Sequence, residues 1–123
     1  MALRPDALVF DTRDPMVEAI FWAGALGFDL DPDSDGTDAH ISDPSARTPG
    51  AFFQSVPEPK VVKNRVHLDV RSPDDEPGDR QQQVDAFIER VVALGARKVR
   101  DVTDDAGYFA VMQDPEGNEF CIG

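Results

Sequence analysis

Two pairs of residues in this chain carry side chains that could do chemistry at a spacing that keeps them together. His67 and Asp69 stand two apart, as do Glu119 and Cys121. In an extended strand residues i and i+2 share a face, so each pair points one way if its segment is a strand. Imidazole titrates near neutrality, so a histidine oriented by a carboxylate is a candidate general acid or base. Here that is His67, with Asp69 or Glu119 to orient it. His67, Cys121 and Glu119 also offer nitrogen, sulfur and oxygen donors of the softness zinc accepts, although no zinc-motif spacing supports a site. Phe52 and Gln54 share one face of an earlier strand, and Tyr108 and Met112 one face of a later strand. An aromatic wall with an amide and a few polar groups suits a small organic ligand. His40, beside an acidic loop, reads as a surface residue, and Trp22 as helix packing. No Ser-His-Asp or Cys-His-Asn pattern and no Gly-rich phosphate loop is readable.

The elements that must position these residues follow from periodicity and turn chemistry. Leu8–Thr12 reads as a strand. Asp14 suits a helix N-cap and Pro15 the first helical position. Val17, Ile20, Phe21, Ala25 and Leu26 recur at helical spacing, and Gly27 closes the helix. Phe28–Leu30, Ala39–Ser42 and Ala51–Val56 read as strands separated by loops. Val66–Arg71 is a strand whose Val66, Leu68 and Val70 cover the helices, which turns His67 and Asp69 to the opposite face. Val84, Phe87, Ile88, Val91, Val92 and Leu94 mark a second helix ended by Gly95. Lys98–Val102, Tyr108–Gln113 and Asn118–Ile122 complete the strands. Asp114-Pro115-Glu116-Gly117-Asn118 is the turn into the last strand, with Pro115 presetting φ and Gly117 and Asn118 tolerating positive φ.

The chain therefore reads as one βαβββ unit written twice. Phe10-Asp11-Thr12-Arg13-Asp14-Pro15 is echoed by Leu68-Asp69-Val70-Arg71-Ser72-Pro73, and Leu26-Gly27 by Leu94-Gly95. Pro57-Glu58-Pro59-Lys60 joins the copies. The length of 123 residues predicts a single domain, with module 1 over about 1–60 and module 2 over about 61–123.

Charge narrows the partners. With 24 acidic against 12 basic residues the net charge is −12, which repels phosphate backbones and anionic lipid. The expectation is no nucleic acid, no membrane, and a preference for a cationic small-molecule ligand. Cys121 is the sole cysteine, so no intrachain disulfide forms. The absence of an apolar leader or spanning run predicts a cytoplasmic location.

The doubled unit, Phe21-Trp22 and Leu26-Gly27 in the first helix, His67-Leu68-Asp69-Val70 and the closing Asp114-Pro115-Glu116-Gly117-Asn118 together resemble the vicinal oxygen chelate superfamily. That group includes glyoxalase I, bleomycin-resistance proteins, fosfomycin-resistance enzymes and extradiol dioxygenases. The likeness covers essentially the whole chain and is nearest to small bacterial glyoxalase-like proteins. It implies an α+β fold in which two βαβββ modules form an eight-stranded, cup-shaped mixed sheet with the helices outside. It also implies a homodimer and a ligand site inside the cup.

The resemblance further implies four inward metal ligands, commonly His, Glu, His and Glu. Carried over residue by residue, the first falls on Ala7 or Val9, the second on Gln54, the third on His67 and the fourth on Cys121. Only the last two bind metals well, so no metal ligand set and no cofactor is expected, and less than one divalent ion per two chains. Cys121 itself reads as a small, inert strand residue; activation as a thiolate would need a cationic neighbour, for which the family geometry offers only His67. The expected function is binding of a small organic ligand by Phe52, Gln54, His67, Asp69, Tyr108, Met112, Glu119 and Cys121. The alternatives are a divalent-metal-dependent lyase, isomerase or dioxygenase, and a metal-free enzyme with His67 as general base.

Overall fold

A computed structural model describes residues 1–123. The chain divides into two compact units, Met1–Lys60 and Val61–Gly123. The first contains β1 (Ala7–Thr12), α1 (Pro15–Leu26), β2 (Asp29–Leu30), β3 (Asp38–Ser42) and β4 (Gly50–Ser55). The second contains β5 (Leu68–Val70), α2 (Arg80–Leu94), β6 (Arg97–Asp104), β7 (Gly107–Gln113) and β8 (Glu119–Ile122). Each is a βαβββ module with its own four-stranded mixed sheet, ordered β1-β4-β3-β2 in one and β5-β8-β7-β6 in the other. β1 runs parallel to β4 and β5 parallel to β8, and the remaining pairs are antiparallel. The internal echo in the sequence is thus an echo in topology. No helix is long and apolar enough to cross a membrane.

In the first unit the Asp14 carboxylate accepts the Val17 N–H at 3.3 Å, Pro15 opens α1, and Gly27 ends it at φ 69°. The buried side of α1 keeps Phe21 from the expected stripe but not Val17 or Ile20. Val17 and Ile20 are exposed, while Pro15, Glu18, Ala19, Phe21 and Trp22 are buried. The aromatic pair offers more apolar area than the β-branched residues, and it takes the face against β3 and β4. Trp22 packs on Phe21 and on Phe10, which in turn packs on Phe53 at 5.0 Å. Ala39, Ile41, Ala51 and Phe53 complete this core. The side chains pointing the other way, Val9, His40, Phe52 and Gln54, remain partly or largely open to solvent.

In the second unit α2 begins earlier than its apolar period. Asp79 accepts the Gln82 N–H at 2.9 Å, and the Gln82 side chain accepts the Asp79 N–H at 2.8 Å. This reciprocal cap satisfies two amides that the helix cannot. Val84, Ile88 and Val91 pack over Ala110, Met112, Phe120 and Ile122. The turn before β8 is built around the buried Asp114. Its Oδ1 accepts the Glu116 and Asn118 N–H groups at 3.0 and 2.9 Å, and its Oδ2 accepts the Asn118 side-chain amide at 3.0 Å. Gly117 takes the positive φ of 93°, but Asn118 does not; its part in the turn is its hydrogen bonding.

β5 is shorter than the expected Val66–Arg71. Its ladder with β8 runs from Leu68 opposite Phe120 to Val70 opposite Ile122. Val66 is exposed, and His67 lies just outside the strand. The approach to β5 is held differently: the Asn64 N–H donates to the Glu119 carboxylate at 3.1 Å. β6, by contrast, extends beyond the expected Lys98–Val102, with a register shift between Lys98 and Arg100. A bulge there and a row of charged side chains keep this edge from pairing further.

Candidate functional site

Strand register decides which side chains meet. Asp69 lies opposite Cys121 on the parallel β5–β8 pair, and Cys121 lies opposite Val111 on β7. Directly opposed residues point to the same face. Asp69, Cys121, Val111 and Glu119 therefore share the face away from α2. Leu68, Phe120, Met112, Ile122 and Ala110 take the face that α2 covers.

On the open face His67 Nε2 lies 3.3 Å from Asp69 Oδ1, with both side chains substantially exposed. Cys121 is half-buried beside them. One donor atom from each of His67, Asp69 and Cys121 falls within 4.8 Å of the other two. An open groove of about 430 Å³ runs past these residues. Its lining includes His67, Asp69 and Cys121 together with Arg71, Arg80 and Phe109. The Arg80 guanidinium is anchored through Nη1, which donates to the Ser72 carbonyl at 3.2 Å and to Gln83 Oε1 at 3.4 Å.

Burial pushes the Cys121 thiol above its ordinary pKa, and the Asp69 charge pushes further, partly offset by Arg100. At neutral pH the sulfur is therefore held as a thiol. Imidazole and thiol both border the same carboxylate, and the nearest charge to the sulfur has the wrong sign for a thiolate.

The other residues singled out from sequence divide. Met112 is fully buried beneath α2 and does not line the groove. Tyr108 and Met112 do share a face, as expected, but it is the helix-covered one. Tyr108 still borders the groove, yet its hydroxyl donates to Asp85 on α2 at 2.7 Å and lies 3.1 Å from Asp101. Glu119 is on the open face, but its carboxylate takes the Asn64 amide, so Asp69 rather than Glu119 is the carboxylate next to His67. Phe52 and Gln54 share a face of the first unit. Phe52 stacks on His40 with ring centroids 4.2 Å apart, and Gln54 Nε2 donates to Asp11 Oδ1 at 2.8 Å. His40 Nδ1 lies 3.7 Å from the Asp31 carboxylate, with both side chains partly exposed.

Arg71, Arg80 and Phe109 were not foreseen as groove residues. Arg71 could have been, since it continues the His67, Asp69 alternation. Arg80 could not, because it arrives from the start of a helix with no local signal.

The model of the glyoxalase-like domain family matches residues 7–123. No protein of curated function matches the chain in sequence. Among solved structures, the chain is similar to a glyoxalase/bleomycin resistance protein/dioxygenase family enzyme from Burkholderia phytofirmans. That pair has a TM-score of 0.72 at 19% identity, over 96% of this chain and 97% of the other. It is also similar to a variant of the fosfomycin resistance protein FosX from Listeria monocytogenes, which was crystallised with Mn(II) and a dihydroxypropylphosphonic acid. Here the TM-score is 0.73 at 12% identity, over 99% and 90% of the two chains. A lactoylglutathione lyase from Agrobacterium tumefaciens gives a TM-score of 0.65 at 16% identity, over 98% and 92%. At these identities the likeness is one of fold.

Proposed function

The chain belongs to the glyoxalase-like domain family of the vicinal oxygen chelate superfamily, and from that premise we propose that it binds a small polar organic ligand in the groove of its second unit. The observation that carries this reading is the convergence of His67, Asp69 and Cys121 beside Phe109 in a groove of about 430 Å³. That size is within the range of small-molecule sites, and an apolar wall with a few fixed polar groups is their usual composition. Imidazole can donate one hydrogen bond and accept another, and Asp69 orients it.

The metal site that the family pattern implies is degenerate. Its first-unit positions hold Ala7 or Val9 and Gln54, and the Gln54 amide is already given to Asp11. The net charge of −12 draws a cationic group toward the chain, and Asp69 is placed to receive it. Arg80 adds the opposite sign nearby, while Arg71 is paired with Asp74 at 2.9 Å, so a ligand carrying both charges suits the groove better than a simple cation. The working assembly is a homodimer, which sedimentation at tens of micromolar tests.

The test is to identify ligand that copurifies with the protein by mass spectrometry and to measure its binding to wild type and His67→Ala. The loss of one net hydrogen bond weakens affinity by about 1–2 kcal/mol. Unchanged affinity removes His67 from the site. A second reading has His67 as general base, favoured by the 3.3 Å contact to Asp69. In that case His67→Ala lowers turnover by on the order of 10²-fold or more.

A further inference from the structure

We propose that Arg80 is the anion-binding residue of the groove, and that the ligand it receives is a zwitterionic ammonium carboxylate whose carboxylate sits on the Arg80 guanidinium. This rests on the reading that the groove holds a small organic ligand, and it names the chemical class of that ligand.

The pairing of charges comes first. With 24 acidic residues against 12 basic ones, carboxylate partners are plentiful. Those of the acidic segment 73–79 are taken up by other arginines: Arg71 pairs with Asp74 at 2.9 Å, and Arg90 with Glu76 at 3.0 Å. Asp79 is committed to capping α2, where it accepts the Gln82 N–H. The Arg80 guanidinium instead meets two neutral oxygens. Its Nη1 donates to the Ser72 carbonyl at 3.2 Å and to Gln83 Oε1 at 3.4 Å. Its Nη2 is shielded from water and has no hydrogen-bond partner.

A charged donor left unmade away from water is costly. An acceptor that arrives with a ligand removes that cost, and an anionic acceptor also neutralises the guanidinium. Arg80 borders the groove together with His67, Asp69 and Phe109. Binding requires only that Nη2 turn toward the groove while Nη1 keeps its anchor, and Nη2 gives up no hydrogen bond in doing so. The anchor also limits the side-chain freedom lost when the ligand arrives.

Donor number and charge select the anion. With Nη1 committed, Nη2 offers two N–H groups, which suits a monoanionic carboxylate. A phosphoryl group brings a second negative charge and a third oxygen, and the net charge of −12 and the Asp69 carboxylate on the groove oppose it. Asp69 receives the ammonium end, so opposite charges hold the two ends of the ligand.

The test is an NMR titration of the isotope-labelled whole chain with three probes: acetate, methylphosphonate and tetramethylammonium. Acetate should move the assigned Arg80 Nε–H resonance to saturation, in the millimolar range that so small a ligand allows. Methylphosphonate should bind more weakly, and tetramethylammonium should move the Asp69 and Cys121 amides. Arg80→Gln should weaken acetate binding by about tenfold or more, as loss of a charge-assisted hydrogen bond does. The wild-type titration reads the same site without any variant. Saturation by tetramethylammonium but not by acetate would overturn the carboxylate and leave the groove as a ligand site; saturation by neither would overturn both. Acetate binding that survives Arg80→Gln, or tighter binding of methylphosphonate, would also overturn the assignment.

Discussion

The two units share one strand order and one register, yet they hold different chemistry at the same place. In the first, Asp11 lies opposite Gln54 on the parallel β1–β4 pair; in the second, Asp69 lies opposite Cys121 on β5–β8. Two residues before each aspartate stand Val9 and His67. The first position closes on itself, because the Gln54 amide donates to Asp11 at 2.8 Å and the pair has no third partner in Val9. The second keeps a carboxylate, an imidazole and a thiol together beside a groove. The scaffold is the repeated part and the site is the divergent part. A strand pair fixes which side chains meet, and only the residue types decide whether the meeting is structural or chemical.

The sharpest break in that comparison is to copy the donors across. Asp11 is already in place, and Val9 is 56% exposed, so a larger polar side chain fits there. The double substitution Val9→His with Gln54→Cys should give the first unit its own donor set. The expected result is that the variant takes up more Co²⁺ per chain than the wild type. Equal uptake would mean that the equivalence of the two positions ends at the backbone.

Packing should show the opposite behaviour, equal in both units. Phe53 and Phe120 occupy matching positions, each opposite the residue that precedes the shared aspartate, and they are 0% and 1% exposed. Phe53→Ala and Phe120→Ala should each cost about 3–5 kcal/mol of stability, as deeply buried aromatic truncations do. Chemical denaturation measures both, and a loss under about 1 kcal/mol at either site would show that its core collapses around the gap.

Much of this scaffold is legible in the sequence. Asp14-Pro15 and Gly27, the Gly95 stop and the turn at Asp114 are local signals, and local signals locate elements well. The echo between Phe10–Pro15 and Leu68–Pro73 carries the shared topology. What the sequence could not give is long-range. That Asp69 pairs with Cys121, and that Glu119 is occupied by Asn64, depends on a parallel register that leaves no mark in either segment. Period two placed Tyr108 and Met112 on one face, but only the docking of α2 decides which face is covered.

The two strand-to-strand turns sharpen the comparison at a smaller scale. Before β4, Asp43 accepts the Ser45 N–H at 2.8 Å and the Arg47 and Thr48 N–H groups at 3.1 Å. The Ser45 hydroxyl comes first among the causes that hold its carboxyl below the usual range. Before β8, Asp114 does similar work but is 3% exposed. Asp114→Ala strands partly buried amides and should cost about 1–3 kcal/mol. Asp43→Ala leaves its amides to water and should cost less, and a reversed order in thermal or urea melts would contradict this reading.

The smallest effect separates the units where they differ most in length. The first unit ends its sheet on the two-residue β2, whereas the second ends on the eight-residue β6, paired with β7 in a long hairpin. Tyr108, near the tip of that hairpin, ties it to α2 through the bond from its hydroxyl to Asp85. Burial raises the Tyr108 pKa, and the hydrogen bonds to Asp85 and Asp101 and their charges raise it further. A pKa raised by folding means that the phenol is favoured in the native state. That stability is fully present below the unfolded value of about 10 and is lost as pH rises through the native one. Tyr108 is the only tyrosine in the chain, so tyrosinate absorbance reads it directly. The native protein should ionise at higher pH than the denatured one, and Asp85→Asn should bring the two curves closer. Coincident curves in the wild-type chain would mean that the hydroxyl is not held by Asp85, and that the long hairpin lacks this tie to its helix.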